Sequence, residues 1–495
     1  MLFDKKAWAI YLFPFLFYLM GVYPSASYVQ PQEILKHLLI FLSINYALYT
    51  ITALFFKSKA AFRTVYLIFL AIYAFFTPLK TALISLPLLN SYLVVFITLT
   101  AVIIFLFLIL RRKEGWALNC MKYLNILLFV FLLFHTVLLI WNFKVKPAPL
   151  QAASKLTSVQ AENLPNFYLI LFDGYPGNYS LKRHFDLDNL NLNEGLRQRD
   201  IFVPDTFYSN YNWTVPSMAS LLNLTYLDEQ EVKPINKNTF VFDGFKMMRN
   251  NSVTSFFEEI GMRIENQSIF PLGSHTEAHN FFGHSSPVKA QHNLMLHKKL
   301  ERDLVWHLYK PPFNWESVYE KYVFGVKHMN DKLMAQTLDL ANELKPKQFV
   351  YLHLILPHKP YLVDSLGNVL DMRDKKNVEP TVERMMNQVK YSNLLIDSLF
   401  KEIKSADSNS IVLVMSDHGY REYDDPQSLD VFNNYLALST PDMDYEFMKD
   451  VRSNINVMPA LLNKYYGQNI PMQEDKLFFF EQESNQIIRK EFPIR

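Results

Sequence analysis

Three stretches of this sequence carry side chains whose types and spacing suit a bound cation or a phosphate centre. FYLILFD, residues 167–173, is an apolar run that closes on Asp173 and is followed by Gly174. SIVLVMSDHG, residues 410–419, closes in the same way on Asp417, His418 and Gly419. A carboxylate beside an imidazole suits zinc or manganese, and a glycine after the carboxylate lets the backbone turn tightly and leaves the ligand exposed. The third stretch is NWTVPSMASLLN, residues 212–223. Pro216, Ser217, Ala219 and Ser220 suit the first turn of a helix, which places Thr214 at or just before its N-terminus. Free N–H groups and the helix dipole favour an anion there, and a hydroxyl with a metal to lower its pKa is a nucleophile for phosphorus. Each stretch also has an ordinary reading: an Asp at a strand end serves as a turn or cap, Asp-His-Gly occurs by chance, and Thr214 in this position could simply cap the helix.

These residues need a scaffold that brings three distant stretches together. The apolar runs at 167–173, 348–356 and 410–417 read as buried parallel strands, and helical stretches at 252–260, 316–344 and 380–404 alternate with them, the first with Ser252 as N-cap. That alternation predicts an α/β domain, a mostly parallel sheet with helices on both faces. Ligands in such sheets collect beyond the carboxyl ends of the strands, where Asp173 and Asp417 fall.

The chain before this domain is of another kind. Apolar stretches at 7–23, 34–56, 64–79, 92–110 and 123–141 approach the roughly 20 residues needed to span a bilayer, the third being interrupted by Pro78 and Lys80. Residues 1–145 therefore read as a transmembrane domain of about five helices, 146–165 as a linker and 166–495 as the α/β domain. Lys5, Lys6, Lys57, Lys59, Arg63, Arg111, Arg112, Lys113 and Lys122 fall on one side of a five-span arrangement, which puts the N-terminus in the cytoplasm and the α/β domain outside. In a bacterium that means a multi-pass protein of the inner (cell) membrane with its second domain in the periplasm or at the exterior. His37, Lys80 and His135 are either functional intramembrane groups or ordinary interfacial and bundle residues. A net charge of +2 excludes a large basic field, so no nucleic-acid partner is expected. The single cysteine, Cys120, rules out an intrachain disulfide framework.

In order and spacing the motifs resemble the alkaline phosphatase and sulfatase superfamily, particularly the membrane-anchored lipoteichoic acid synthases and lipid A phosphoethanolamine transferases. LFDGY resembles the first metal-ligand strand. TVPSMASLL resembles the sulfatase nucleophile motif with Thr214 at the nucleophile. HLILPHKPY, residues 353–361, resembles the strand and loop that supply substrate-binding groups, and VMSDHG resembles the last metal-ligand pair. The resemblance implies a metal site of Asp173, Thr214, Asp417 and His418, catalysis by Thr214 with His358 on the oxyanion, and His353 or Lys359 nearby. Arg421 is a further phosphate-neutralising candidate.

Two departures refine the expectation. The bacterial transferases usually have Glu where this chain has Asp173. Sulfatases need Cys or Ser for formylglycine and an Arg four residues later, where this chain has Thr214 and Met218, so ordinary sulfatase chemistry is disfavoured. No histidine follows His418, which favours one ion, Zn or Mn. The expected function is a transferase moving a phosphate-ester headgroup from a membrane phospholipid donor to an envelope glycan or lipid acceptor. The alternatives are a phosphodiesterase or hydrolase using the same residues, and a catalytically silent envelope binding protein. His275, His279, His284, His292 and His297 read as an exposed loop or an additional metal site, and Tyr208, Tyr211 and Trp213 as pocket lining or packing.

Overall fold

The computed structural model describes residues 8–22, 31–86, 91–144, 156, 164–227, 235–275, 278, 286–343, 345–423, 428–483 and 486–493. They form two compact units, Met1–Ala148 with Phe282–Asn314, and Pro149–Phe281 with Trp315–Arg495. Most of the expected linker lies outside the described residues. Residues 282–314, which the sequence reading assigned to the 166–495 domain, pack instead with the N-terminal helices.

The first unit contains α1 (Trp8–Val22), α2 (Pro31–Ala53), α3 (Lys59–Ala74), α4 (Phe76–Ile84), α5 (Tyr92–Arg112) and α6 (Glu114–Lys144). Gln32–Ala53, Val94–Arg112 and Glu114–Trp141 are long and apolar enough to cross a membrane. The third expected span is a bent pair, with α3 and α4 meeting at 80°. α1 is shorter, its 15 residues rising about 22 Å. Apart from α4, which leaves α3 at 80°, successive helices run in opposite directions. Tyr11 packs on Tyr49 and Phe17 on Phe41 between α1 and α2, and Phe56 stacks on Phe62 between α2 and α3. Phe56 also meets Phe107 late in α5, and Thr64 Oγ1 donates to Ala117 O early in α6. The start of α1 and the loops carrying Lys57 and Arg112 thus share one end of the bundle, and α6 finishes at the other.

Several buried polar groups of the bundle are paired with one another or with backbone, as an apolar medium favours. Asn45 Nδ2 donates to Ile10 O (2.8 Å), Tyr66 OH donates to Asn45 Oδ1 (3.0 Å), and Ala9 N–H donates to Asn125 Oδ1 (3.3 Å). His37 and His135 bond through Nδ1 to the carbonyls of Glu33 and Phe131, one turn back in their own helices. Two short helices from the later sequence, α7 (Pro287–His292) and α8 (Leu296–Leu304), complete this unit. Val288 and Met295 join its apolar core, and Gln291 Nε2 donates to Phe17 O. His292 and His297 therefore sit on packed helices, each bonded to a tyrosine (Tyr18 and Tyr73), rather than in an exposed loop. His279 and His284 lie outside the described residues.

The second unit is built on a five-stranded sheet. β1 is Phe167–Phe172, β2 Ile235–Asn236, β3 Arg263–Gln267, β4 Gln348–Leu354, β5 Ile411–Ser416, β6 Leu436–Ser439, β7 Lys476–Glu483 and β8 Gln486–Pro493. The order is β3-β4-β1-β5-β6, parallel except for β6. β1, β4 and β5 are buried at every position, which explains why their sequences are continuous apolar runs. β2, β8 and β7 form a second, antiparallel sheet. The expected helix over 252–260 runs Ser252–Glu259, but its N-cap is Asn251, whose side chain accepts from Thr254 N–H at 2.8 Å. The stretch 316–344 is two helices, Glu316–Val323 and Gly325–Asn342, and 380–404 is one, Val382–Ala406, capped by Thr381.

Candidate metal and phosphate site

β1 and β5 are hydrogen-bonded neighbours with Phe172 opposite Ser416, so Asp173 and Asp417 leave the sheet side by side. Gly174 has a φ of +69°, and a Cβ there would lie 3.2 Å from the His418 ring. Its N–H donates to Asp417 Oδ1 at 2.9 Å, which leaves Oδ2 free to face the site. Ser416 fixes the second loop, its hydroxyl donating to His418 O and accepting from Tyr175 N–H. Gly419 is required by close approach, because a Cβ would meet Asn433 O at 2.4 Å.

Asp173, Asp417 and His418 are buried and offer ligand atoms all within 4.8 Å of one another. His418 Nε2 lies 3.3 Å from Asp417 Oδ2 and 3.6 Å from Asp173 Oδ1. Its Nδ1–H donates to Gly419 O at 2.7 Å, which turns the Nε2 lone pair toward the carboxylates. Burial pushes the His418 imidazole below its ordinary pKa against the pull of the carboxylates. For Asp173, burial pushes up, but His358, His353 and His418 outweigh it and hold the carboxyl below the usual carboxylate range. Asp173 Oδ1 and Asp417 Oδ2 are buried without hydrogen-bond partners. Two anionic oxygens and a neutral imidazole nitrogen converging without donors between them fit a divalent cation, since buried charges otherwise demand pairing.

Thr214 is the first residue of the helix Thr214–Asn223, and its neighbour Trp213 is the N-cap, with no side-chain cap bond. The Thr214 hydroxyl therefore does not cap the helix. It lies 3.4 Å from His418 Nε2, beside the cluster of Asp173, Asp417 and His418. Ser217, one turn on, donates to Asp417 O at 2.7 Å and ties the helix to the ligand loop.

The other expected residues are placed unequally. His358 follows β4, with its N–H on Asp173 O and its Nε2 accepting from Arg421 Nη2 at 3.1 Å. Both line a small cavity of about 30 Å³ with Gly174 and His418. Lys359 is at the same rim, but its Nζ is ion-paired with Glu422. His353, expected on the substrate side, is fully buried behind Asp173, with Nε2 3.7 Å from Asp173 Oδ2 and Nδ1 bonded to Tyr351 OH. It thus stands beside the Asp173 carboxylate and not on the rim, where His358 and Lys359 line the small cavity. Gln388 had no local signal at all. Its buried amide donates to Pro357 O and His358 O and accepts from Leu362 N–H, holding the His358 loop.

A larger cavity of about 230 Å³ has Trp213, Arg421, Phe479, Phe480 and Glu481 in its wall. Of the three aromatics before Thr214, Trp213 lines this cavity, Tyr211 is fully buried in stacks with Phe478 and Phe480, and Tyr208 packs on the Val431–Phe479 cluster.

The family model described as Sulfatase matches residues 165–451, more than half of the chain. No curated protein matches the sequence. Among solved structures, the chain is similar to the C-terminal periplasmic domain of EptC from Escherichia coli, at 12% identity over 68% of this chain and 96% of that one, with a TM-score of 0.41. It is similar to the integral membrane protein lipooligosaccharide phosphoethanolamine transferase A from Neisseria meningitidis, at 11% identity over 92% and 95% of the two chains, with a TM-score of 0.39. An alkaline phosphatase superfamily protein from Vibrio parahaemolyticus matches at 14% identity over 68% and 78%, with a TM-score of 0.39. With apolar helices before an α/β domain that carries the matched motif residues, the chain belongs to the sulfatase family, as an enzyme of ester-group transfer or hydrolysis.

Proposed function

We propose that this protein is a membrane-bound, metal-dependent transferase that moves a phosphate-ester headgroup from a phospholipid to an envelope glycan or lipid, with Thr214 as nucleophile. The observation that carries this reading is the convergence of Asp173, Asp417 and His418, with two donorless buried carboxylate oxygens and the Thr214 hydroxyl at the same point. Asp173, Asp417 and His418, with the Thr214 hydroxyl, would hold one Zn or Mn. A divalent ion there lowers the pKa of the hydroxyl and offsets charge on the phosphate oxygens. Thr214 Oγ attacks phosphorus and its proton is released. The bond from phosphorus to the diacylglycerol oxygen breaks, and that oxygen takes up a proton. His358 and Arg421 stand together on the rim to hold a non-bridging oxygen. An acceptor hydroxyl then attacks the phosphothreonine and restores Thr214. Lys359 serves the same rim when a phosphate displaces Glu422.

A lipid donor fits helices that confine the enzyme to the bilayer, which raises the donor's effective concentration without new contacts. The inner membrane with the α/β unit on the periplasmic or extracellular side fits the basic residues gathered at the end of the bundle opposite the end of α6. Full-length protein in vesicles of labelled phospholipid tests the reading: label should pass to a glycan or lipid acceptor. Label released only into water across a broad acceptor panel would replace transfer by hydrolysis through the same residues. No release at all from metal-loaded protein would leave a silent binding protein.

A further inference from the structure

The first unit holds a surface that neither the sulfatase match nor the site accounts for. α4 turns by 80° from α3, so with α3 crossing the bilayer α4 lies close to the membrane plane. α8 follows α4 along its length. Near its start, His297 Nδ1 meets Tyr73 OH at 2.8 Å beside the end of α3, and the two rings stack. Near its end, Asp303 pairs with Lys80 of α4 at 3.7 Å and with Lys299. Thr77 N–H donates to Leu294 O at 2.9 Å just before α8 begins. Seven residues of α8, 297–303, are thus matched by eight of α3–α4, 73–80, and α8, about 13 Å long, follows the course of α4. It lies at the end of the bundle where α2 begins, and there Leu35 and Leu39 of α2 already present exposed aliphatic side chains.

At the end of α8 and just beyond it the chain exposes large apolar groups: Leu304, Trp306 at 38% and Phe313 at 54%. Trp306 Nε1–H donates to Asp303 O, which satisfies the one polar atom of the indole, and Lys310 Nζ stands 4.8 Å from its ring centre. Residues 296–313 contain Lys298, Lys299, Arg302 and Lys310 against Glu301 and Asp303. Exposed aromatic rings with basic side chains close by, on a segment that continues from α8, match the lipid–water interface, where rings find a partly apolar medium and cations find phosphates.

We infer that residues 296–313, although they interrupt the α/β domain in sequence, form an interfacial anchor whose Trp306 and Phe313 rest in the phospholipid headgroup layer. This does not depend on the chemistry of the metal site. The test uses the full chain with Cys120→Ser, which removes the only cysteine, and Phe313→Cys or Trp306→Cys carrying an environment-sensitive fluorophore. Phe105→Cys, on the exposed face midway along α5, is the hydrocarbon reference. In phosphatidylcholine–phosphatidylglycerol vesicles, a nitroxide on the lipid headgroup should quench positions 306 and 313 at least twofold more than a nitroxide deep in the acyl chain, and the order should reverse at 105. Quenching at 105 with none at 306 or 313, or stronger deep quenching at those two positions, would overturn the inference. As a check free of cysteine substitutions, Trp306→Phe should lower the headgroup-nitroxide quenching of intrinsic tryptophan emission; an unchanged value counts against the anchor.

Discussion

Replacing Thr214 by alanine separates a nucleophile from a helix cap, because the two roles fail in different ways. A capping threonine lost to alanine costs about 1 kcal/mol, or roughly 2–4 °C in Tm for a domain of this size. Here Trp213 is the N-cap and Thr214 makes no cap bond. Alanine also has the higher helix propensity, by about 0.5 kcal/mol. The melting temperature should therefore hold or rise by a degree or two. Asp417 and His418 keep their positions, fixed by Gly174 N–H, Ser416 and the Gly419 carbonyl, and Asp173 stays beside them at the end of β1, so the metal should remain, with affinity lowered on the order of tenfold by the lost oxygen. Turnover should fall at least about 10⁴-fold, as expected when the attacking atom itself is removed, and Thr214→Ser should recover part of it. The assay follows labelled phospholipid consumption by full-length protein in vesicles, with metal content and thermal melts in parallel. A Thr214→Ala protein that turns over within tenfold of the parent, or one whose Tm drops by several degrees with activity intact, would refute the argument.

Metal analysis of the purified chain should find one equivalent of Zn or Mn, which Asp417→Asn and Asp173→Asn should each reduce below stoichiometry without unfolding; two tightly held ions would contradict a site with three protein ligands and one hydroxyl. Gly419→Ala should destabilise the second unit by about 1–3 kcal/mol and release metal, since its Cβ meets the backbone oxygen of Asn433 at 2.4 Å, and an unchanged melt with full occupancy would show that the loop can yield. His292 is held at a pKa of about 4 by burial, with His37, His297 and Lys298 adding to it, below the roughly 6.5 of an unfolded chain. The neutral ring therefore supports the packing of α7 fully above pH 6.5, and that support is lost as pH falls through 4. Hydrogen exchange over 287–304 should accelerate across that window, and His292→Gln should flatten the dependence.

What the sequence determined by itself is local. A strand buried on both faces must be apolar throughout, so β1, β4 and β5 were legible as runs, and the polar residues closing β1 and β5 marked the catalytic end of the sheet. Pro216 and the small residues after it were enough to place Thr214 on the first turn of its helix. The bend between α3 and α4 follows from the Pro78 and Lys80 interruption of the third apolar stretch. Tertiary structure decided what depends on partners far away in the chain. Whether Thr214 caps its helix or faces His418 turned on Trp213 taking the cap and on His418, 204 residues away, lying opposite the hydroxyl. His353 reads as a binding residue beside His358, yet its position inside β4 buries it against Asp173. Glu422 claims Lys359, Gln388 holds the His358 loop, and β7 closes the cavity by Trp213, none of which has a local pattern. The histidines of α7 and α8 look like a polar loop because a short helix packed on a bundle through a few residues has too little length to establish a period. Only the apolar surface of α1 to α4, assembled more than 200 residues earlier in the chain, gives those residues something to be buried against.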